Sequence, residues 1–209
     1  SISVNNTPIN YQYDADSAPT RAGALALAYQ PASGLLASTT LGNVNDSFGY
    51  NAFGELQSYR ATVGATPLFQ TGYARDSLGR ITTLTETIES STNLYLYSYD
   101  AAGRLATVIR NGAQIASYSY DANGNRVNAT DLTGAFTGSY DAQDRLVSYG
   151  NTTYSYTANG ELQSKTVAEP VEATRYSYDE FGNLTRVVLA TGEVITYLID
   201  GLDWRVGHQ

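Results

Sequence analysis

Residues Tyr97–Leu105 read Tyr-Ser-Tyr-Asp-Ala-Ala-Gly-Arg-Leu, and this stretch decides the fold that the sequence predicts. The two tyrosines alternate with a serine, so both point to one face of an extended strand and the serine points to the other. An Asp-x-x-Gly segment follows directly. Aspartate at the first position of a type I turn accepts a backbone N–H, and glycine adopts the left-handed conformation that closes the turn. The stretch therefore predicts a β-strand, a tight turn and the start of a second strand.

The same pattern recurs along the chain. Tyr-Ser-Tyr occurs four times; an aspartate follows three copies and a threonine the fourth, and each time a glycine lies three residues further on. The four copies are Tyr97–Tyr99, Tyr118–Tyr120, Tyr154–Tyr156 and Tyr176–Tyr178. With weaker copies included, the aspartate-equivalent positions are 51, 76, 100, 121, 141, 157, 179 and 200, about 21 residues apart on average. Near the N-terminus, Tyr11–Asp14 and Tyr29–Gly34 are degenerate copies of the pattern.

One repeat runs from Asp100 to Asp121 and holds two strands. Leu105–Arg110 is strand-like, and Asn111-Gly112 is a strong hairpin signal because a type I′ turn needs positive φ at both central residues. Ala113–Tyr120 then returns as the partner strand. Repetition of this unit predicts an all-β chain of tandem antiparallel hairpins with roughly sixteen to eighteen strands. Neighbouring strands twist by about 20–25°, so a sheet this wide is expected to coil into a spiral.

No change of composition divides the chain. We predict a single repeat array over residues 1–209, with degenerate repeats in 1–48 and clear repeats in 49–209. Lys165–Ala173 departs from the pattern and is expected to form a longer loop within the array. No segment shows the sustained periodicity of 3.6 residues that indicates an amphipathic helix.

The composition excludes several classes of function. Twenty Asp and Glu outnumber twelve Lys and Arg, for a net charge of −8, and nucleic-acid binding needs clustered cations instead. Cysteine is absent and His208 is the single histidine, so this chain alone offers no thiol nucleophile and no multi-histidine metal or catalytic site. No apolar run reaches the length of a membrane span, so membrane insertion is not expected. No motif indicates a cofactor.

The repeated aspartates are the obvious candidates for carboxylate catalysis. An active site is normally unique, however, and a residue that recurs once per repeat serves something that every repeat needs. We therefore interpret the motif as structural and expect neither catalytic nor metal-binding residues. Arg80, Arg104 and Arg145 lie four residues after their aspartates, which predicts an ion pair across each turn. The structural motif comprises Tyr97, Tyr99, Asp100, Gly103, Arg104, Tyr118, Tyr120, Asp121, Gly124, Tyr140, Asp141, Tyr154, Tyr156, Gly160, Tyr176, Tyr178, Asp179 and Gly182.

The tyrosine-rich face has two interpretations. Tyr95, Tyr97 and Tyr99 share one face of a strand, with Leu94 and Leu96 on the other. A row of tyrosines can stabilise a sheet through cross-strand packing. It can equally form a platform for sugar rings, with the phenol hydroxyls as hydrogen-bonding groups. Packing is the favoured interpretation, and glycan binding is the alternative.

These repeats resemble the YD-repeat or Rhs-repeat family, whose signature Tyr-x-Tyr-Asp-x-x-Gly-Arg-Leu is matched at every position by Tyr97–Leu105. Tyr197–Gly207 is similar to the stretch that precedes the Rhs-associated core in such proteins. The resemblance implies a β-ribbon that spirals into a hollow shell or barrel, as in bacterial Rhs proteins, Tc-toxin C-components and teneurins. It therefore implies a non-enzymatic segment of a shell that encloses or presents a polymorphic toxin, or of a surface scaffold. The alternative is a glycan-binding adhesin module.

The resemblance also implies partners and a location. The partners are the rest of a parent protein, namely neighbouring repeats, a core domain and a toxin cargo, and the location is secreted or on a bacterial cell surface. The first and last strands of a repeat array have an unpaired edge that can hydrogen-bond to a strand of another chain. Val194–Ile199 is β-rich, uncharged and free of proline, so self-association is expected through this segment as an edge strand.

Overall fold

A computed structural model describes residues 2–4 and 7–209, with side chains from Pro8 onward. All regular elements in these residues are β-strands. The chain forms two compact units, Ser1–Ile115 and Ala116–Gln209. The predicted single array over residues 1–209 stays a prediction.

The first unit is a run of antiparallel strands. Its strands are β1 (Ile2–Val4), β2 (Thr7–Ile9), β3 (Tyr11–Tyr13), β4 (Pro19–Ala22), β5 (Leu25–Tyr29), β6 (Leu36–Leu41), β7 (Val44–Tyr50), β8 (Leu56–Val63), β9 (Thr66–Arg75), β10 (Ile81–Ile88), β11 (Ser91–Tyr99), β12 (Leu105–Arg110) and the beginning of β13 (Ala113–Tyr120). The strands β1 and β2 pair with each other as a separate hairpin. From β3 to β12, each strand pairs antiparallel with the next one along the chain.

The second unit continues the same order. After the end of β13 it contains β14 (Arg126–Asp131), β15 (Gly134–Tyr140), β16 (Leu146–Tyr149), β17 (Thr152–Tyr156), β18 (Leu162–Val167), β19 (Glu172–Tyr178), β20 (Leu184–Val188), β21 (Val194–Ile199) and β22 (Arg205–His208). Each strand again pairs antiparallel with its successor. The predicted all-β class built from tandem antiparallel hairpins is confirmed.

The described residues hold more strands than the sequence predicts, 22 instead of sixteen to eighteen. Part of the difference lies at the N-terminus, where the weak copies Tyr11–Asp14 and Tyr29–Gly34 each end a strand and begin a turn, as the clear copies do. Another part lies at the C-terminus, where β22 follows the last predicted strand. The expected long loop at Lys165–Ala173 is also shorter than predicted. Strands β18 and β19 extend into it and leave only residues 168–171 between them.

The expected edge strand at Val194–Ile199 is an interior strand instead. This segment is β21, which pairs with β20 on one side and with β22 on the other. Its backbone groups are therefore engaged in both ladders. The prediction that this segment is an exposed edge is wrong, and self-association of the chain stays a prediction.

Ten hairpins whose strands are joined by a turn at an aspartate-equivalent position have a β-bulge beside that turn. In the hairpin of β11 and β12, Tyr99 pairs with Leu105, but Tyr97 pairs with Val108 instead of Thr107. A bulge puts two residues of one strand opposite one residue of its partner. It therefore brings Leu105 and Val108, three residues apart, to the same face as the tyrosines.

The tyrosine face is the more buried face of the sheet. Val108, Ala129 and Val187 are buried, and each lies directly opposite the first tyrosine of a motif. The other face is open, since Leu94 and Leu96 are 41% and 40% exposed. No large side chain among the described residues is fully buried. The array thus has a shallow packed face made of tyrosines and small aliphatic residues.

Within the part of the chain that the structure describes, no helix has the length and apolar character needed to cross a bilayer.

Candidate functional site

The feature that recurs in every clear repeat is the five-residue turn, and Asp100 illustrates it. Its Oδ1 accepts hydrogen bonds from the backbone N–H groups of Ala102 and Arg104, both at 2.9 Å. The Asp100 carbonyl accepts from the N–H of Gly103, and the Asp100 N–H donates to the carbonyl of Arg104. The carboxylate thereby satisfies backbone donors that the sheet ladder does not reach.

Seven aspartates make this pair of backbone contacts, to the second and fourth residues after them. They are Asp14, Asp76, Asp100, Asp121, Asp141, Asp179 and Asp200. At position 51 an asparagine does the same through Oδ1, with the N–H groups of Phe53 and Glu55 as donors. At position 157 a threonine hydroxyl accepts from the N–H of Glu161. Any short side chain with an acceptor oxygen therefore fills the position, as turn chemistry predicts.

The predicted ion pairs across the turn are present. Arg80, Arg104 and Arg145 each place a guanidinium nitrogen 2.7 Å from the Oδ2 of Asp76, Asp100 and Asp141. One carboxylate oxygen thus binds the backbone and the other binds the arginine. These side chains are partly exposed, so their main effect is to order the turn.

The same contacts shift the titration of the carboxyls. Hydrogen bonds from the Arg80 and Arg145 guanidinium groups hold the pKa of Asp76 and of Asp141 below the usual aspartate range. At Asp100 the largest cause of the lowered pKa is the backbone N–H of Arg104. In each case hydrogen bonding favours the charged form of the carboxyl.

These lowered pKa values predict acid sensitivity. The unfolded value is about 3.9 and the folded values are lower, so the contribution to stability is present above pH 4 and is lost as the pH falls through the folded values. We expect Tm to be steady between pH 7 and 5 and to fall steeply below about pH 4. Thermal unfolding followed by circular dichroism across this pH series measures it. A Tm that stays constant down to pH 2.5 would contradict the prediction.

The second tyrosine of the motif links consecutive repeats. The Tyr99 hydroxyl donates a 2.6 Å hydrogen bond to the carbonyl of Ile81, the first residue after the preceding turn. The same bond is made by the hydroxyls of Tyr29, Tyr50, Tyr140, Tyr156 and Tyr178, whose acceptors are the carbonyls of Pro19, Leu36, Arg126, Leu146 and Leu162. The ladder is interrupted at the bulge, and the phenol hydroxyl supplies a donor to the carbonyl next to it. The alternation of tyrosine and serine in the sequence predicted that these rings lie on one face. It did not predict the hydrogen bond from the hydroxyl to the carbonyl of the preceding repeat.

The turn arginine of one repeat also contacts the second tyrosine of the next. The guanidinium of Arg80 lies over the ring of Tyr99 at 4.6 Å from its centroid, and that of Arg145 over Tyr156 at 4.9 Å. Cation–π contacts at this distance are favourable. Turns that lack arginine contact each other differently: Asn183 Nδ2 donates to the Oδ1 of Asp203 in the next turn. Consecutive turns are therefore joined by side chains.

The first tyrosines of the motif lie two residues upstream on the same face. Tyr97, Tyr118, Tyr154 and Tyr176 pair across the sheet with Val108, Ala129, Lys165 and Val187. Burial raises the pKa of the Tyr97 phenol, as expected for a packed ring. The remaining motif residues Gly103, Gly124, Gly160 and Gly182 all have positive φ at the fourth turn position. Glycan binding by the tyrosine face stays a prediction, as does the purely structural role of the motif.

The Oδ1 atom of each of the seven turn aspartates accepts hydrogen bonds from backbone N–H groups of its own turn. Among the described side chains, His, Asp and Glu form no group of three or more that could hold a metal ion. The turn contacts satisfy backbone N–H groups at the turn ends of the hairpins.

Comparison with known proteins identifies the family. The family model described as Teneurin YD-shell matches residues 1–209. The chain belongs to the YD-shell family. Teneurin-4 of Mus musculus is 26% identical over 218 residues, which cover 99% of this chain and 7% of that protein. The toxin protein Tse5 of Pseudomonas aeruginosa is 31% identical over 159 residues, which cover 71% of this chain and 12% of Tse5. The YD-shell chain thus spans roughly a tenth of these relatives' length.

Solved structures agree with the fold of the YD-shell chain. A Photorhabdus luminescens Tc holotoxin pore contains a chain that matches with a TM-score of 0.60 and 16% identity, over 98% of this chain and 12% of that one. The crystal structure of TcdB2–TccC3 matches with a TM-score of 0.55 and 15% identity, over 93% and 14% of the two chains. The predicted resemblance to YD and Rhs repeats is confirmed, and the fold is the shell type of these toxins.

Proposed function

We propose that this chain is a non-enzymatic segment of a YD-repeat shell wall. The observation that carries the proposal is the repeated turn with its tyrosine bond. In the repeat around Asp100 the aspartate carboxylate satisfies the backbone of the turn, and the Tyr99 phenol joins the repeat to its predecessor. The same contacts recur in most repeats, which is the pattern expected of a wall and not of a single reactive centre. Membership of the YD-shell family and the likeness to Tc-toxin chains support it.

In this proposal the chain is one part of a longer parent protein, and the other parts of that protein contribute the cargo and the core domain. Teneurin-4 and Tse5 are many times longer than this chain, and Tse5 is a toxin protein. In this proposal the wall encloses or presents a toxin, the parent is secreted or displayed on a bacterial surface, and the partners are neighbouring repeats, a core domain and the cargo. The described part of the packed face has no fully buried large side chain, which is compatible with a wall that relies on further repeats for its stability.

Electron cryomicroscopy of the full parent protein tests this function. We expect residues 8–209 to lie in the wall of a closed shell, with the segment after Gln209 inside or at its mouth. Limited proteolysis of the same sample should cleave the enclosed segment only after the shell is opened. A separate domain tethered outside any shell, or a downstream segment cleaved as fast as a free peptide, would contradict the proposal.

A substitution separates structural from catalytic aspartates. Asp100→Asn keeps the acceptor Oδ1 that Asn51 uses in its own turn, but it removes the charge that acid–base or nucleophilic chemistry requires. We expect the variant parent protein to fold and to retain its full toxic or adhesive activity. An activity lost at least about a hundredfold with an unchanged Tm would instead assign Asp100 a chemical role.

A further inference from the structure

Three side chains with acceptor oxygens lie in a row across neighbouring strands of the tyrosine face. Thr71 of β9 pairs with Glu86 of β10, and Glu86 pairs with Asn93 of β11. Leu84 pairs with Tyr73 and lies two residues before Glu86, so the row is on the same face as this tyrosine. Thr71, Glu86 and Asn93 together form the acceptor row.

Two members of the acceptor row lack a partner. Thr71 is 8% exposed, and its Oγ1 has no hydrogen-bond partner within the described part of the chain. Glu86 is half-buried, and its carboxylate makes no hydrogen bond or ion pair with any described residue. Asn93 Oδ1 accepts a 2.9 Å hydrogen bond from Asn111 Nδ2 and keeps a second lone pair. Buried polar groups normally have a partner, so the row indicates a bound group with several hydrogen-bond donors.

The repeat itself does not require a carboxylate at position 86. Glu86 lies two residues after Leu84, which pairs with the first tyrosine of its motif, and the corresponding residues of other repeats are Arg110, Asp131, Val167 and Leu189. Asp131 is a carboxylate too, but its Oδ1 accepts hydrogen bonds from the N–H and the hydroxyl of Thr133. Glu86 therefore differs from Asp131 in having no partner of its own.

An open hollow of about 230 Å3 adjoins the acceptor row on the same face, and its walls are Tyr73, Ile81, Leu84, Tyr97, Tyr99 and Leu105. This volume is smaller than the roughly 300–1,000 Å3 of sites for drug-sized ligands, so the hollow suits a short chain. Tyr73 and Leu84 each lie two residues from a member of the row. Burial contributes most to the raised pKa of the Tyr97 phenol, and the negative charge of Glu86 adds to it, so the carboxylate acts on a ring of the hollow.

The surroundings of the hollow favour a cation over an anion. The arginines at its turn end are paired with carboxylates, Arg75 with Glu55 and Arg80 with Asp76. Glu86, at the other end, carries a charge that no described residue balances. Faces of tyrosine rings also attract positive charge, and the chain as a whole has a net charge of −8.

The acceptor row specifies which kind of cation fits. A primary ammonium has three N–H donors and no acceptor, which matches a row of three acceptors, one of them charged. We propose that the acceptor row and the hollow together bind an aliphatic primary amine, with its ammonium on the row and its carbon chain along Tyr73 and Tyr97. All of these residues belong to the first unit, so the site is independent of the shell proposed above.

Heteronuclear NMR on the 209-residue chain at neutral pH tests the proposal, with pentylamine and Nα-acetyl-lysine methylamide as probes. We expect both to bind with a Kd of about 1 mM or tighter and to change chemical shifts at residues 71–73, 84–86 and 93–97. Tighter binding of the lysine derivative would identify a peptide side chain as the source of the ligand, and tighter binding of pentylamine a free amine. The absence of binding by both at 50 mM, roughly fifty times the expected Kd, would overturn the proposal.

Two matched probes separate the charge from the hydrogen bonds. Pentanol has the same carbon chain without the charge, and pentyltrimethylammonium has the charge without N–H donors. We expect each to bind at least about tenfold more weakly than pentylamine. Binding of either one as tight as that of pentylamine would overturn the assignment of a primary ammonium to the acceptor row.

Matched variants locate the site. Glu86→Gln keeps the shape of the side chain and removes its charge, so we expect pentylamine to bind at least about tenfold more weakly. Asp131→Asn removes one charge at the corresponding position of another repeat, and we expect it to leave binding unchanged. Equal effects of the two variants would show attraction by net charge alone and would overturn the site. If Glu86→Gln does not fold, the comparison of pentylamine with pentanol on the natural chain decides the question.

A third variant tests the buried hydroxyl. Thr71→Val keeps the shape of the side chain and removes an unpartnered buried polar group, so we expect the Tm to be maintained or raised. In this proposal the same variant loses a ligand contact, and we expect pentylamine to bind about threefold or more weakly. A folded Thr71→Val variant that binds pentylamine as tightly as the natural chain would overturn the role of the acceptor row.

Discussion

Replacing Tyr99 by alanine is expected to lower the free energy of unfolding by about 2–4 kcal/mol, somewhat less than for a fully buried aromatic residue because this ring is half-buried. Three contacts disappear together. The ring no longer packs on the tyrosine face, its hydroxyl no longer donates to the Ile81 carbonyl, and the Arg80 guanidinium loses the ring beneath it. Urea unfolding followed by tyrosine fluorescence and by circular dichroism measures the change.

Two further variants divide this loss. Tyr99→Phe keeps the ring and removes only the hydroxyl, so we expect a loss of about 1 kcal/mol from the unpaired carbonyl. Phe53→Ala is the matched control, since Phe53 is also an aromatic residue at the turn edge but is 89% exposed, and we expect it to change stability by less than about 0.5 kcal/mol. Equal losses for Tyr99→Ala and Phe53→Ala would show that the link between repeats contributes nothing.

The second large effect on the free energy of unfolding is expected for a substitution of Gly103, the glycine at the fourth position of its turn. Gly103 has φ of +82°, and a Cβ added there would lie 3.2 Å from Arg80 Nη1, the guanidinium that stacks on Tyr99. A side chain with a branched Cβ is strained at this φ, so we expect Gly103→Val to lower the free energy of unfolding by about 1–3 kcal/mol. Chemical denaturation at neutral pH measures it.

Gly72 provides the control for this substitution. It lies within β9, its φ is not positive, and a Cβ added there would meet nothing within 4 Å. Valine favours strands and restricts the unfolded chain, so Gly72→Val is expected to maintain or raise stability. A loss at position 72 as large as that at position 103 would mean that side-chain bulk, and not backbone conformation, decides the outcome.

Local chemistry made the turns predictable from sequence. Asp100, Gly103 and Arg104 interact within five residues of chain, and the spacing of such residues is visible in any one repeat. The alternation of Tyr97, Ser98 and Tyr99 fixed the packed face for the same reason, since side-chain direction in a strand has a period of two residues.

The contacts between repeats were not predictable in the same way. The bulge that pairs Tyr97 with Val108 depends on both strands of a hairpin, and the bond from Tyr99 to Ile81 joins residues eighteen positions apart in different repeats. Position 76 belongs to a weaker copy of the motif, in which Arg75 replaces the tyrosine, and nothing in the sequence indicated that Arg75 makes the same bond to a backbone carbonyl. The strand β22 was missed because Arg205–His208 is short and polar, and its absence from the prediction made Val194–Ile199 look like an edge.

The repeated turn, with its bulge and its tyrosine hydrogen bond, affects how the number of repeats can change in evolution. Successive turns begin 16 to 25 residues apart, yet the bulge recurs beside them, because the strands between the turns differ in length. Six of the described repeats each bring a tyrosine whose hydroxyl donates to a backbone carbonyl of the preceding repeat. A duplicated or deleted repeat would therefore meet compatible neighbours on both sides. Unequal recombination between repeats could then lengthen or shorten the gene by whole units without rebuilding any junction.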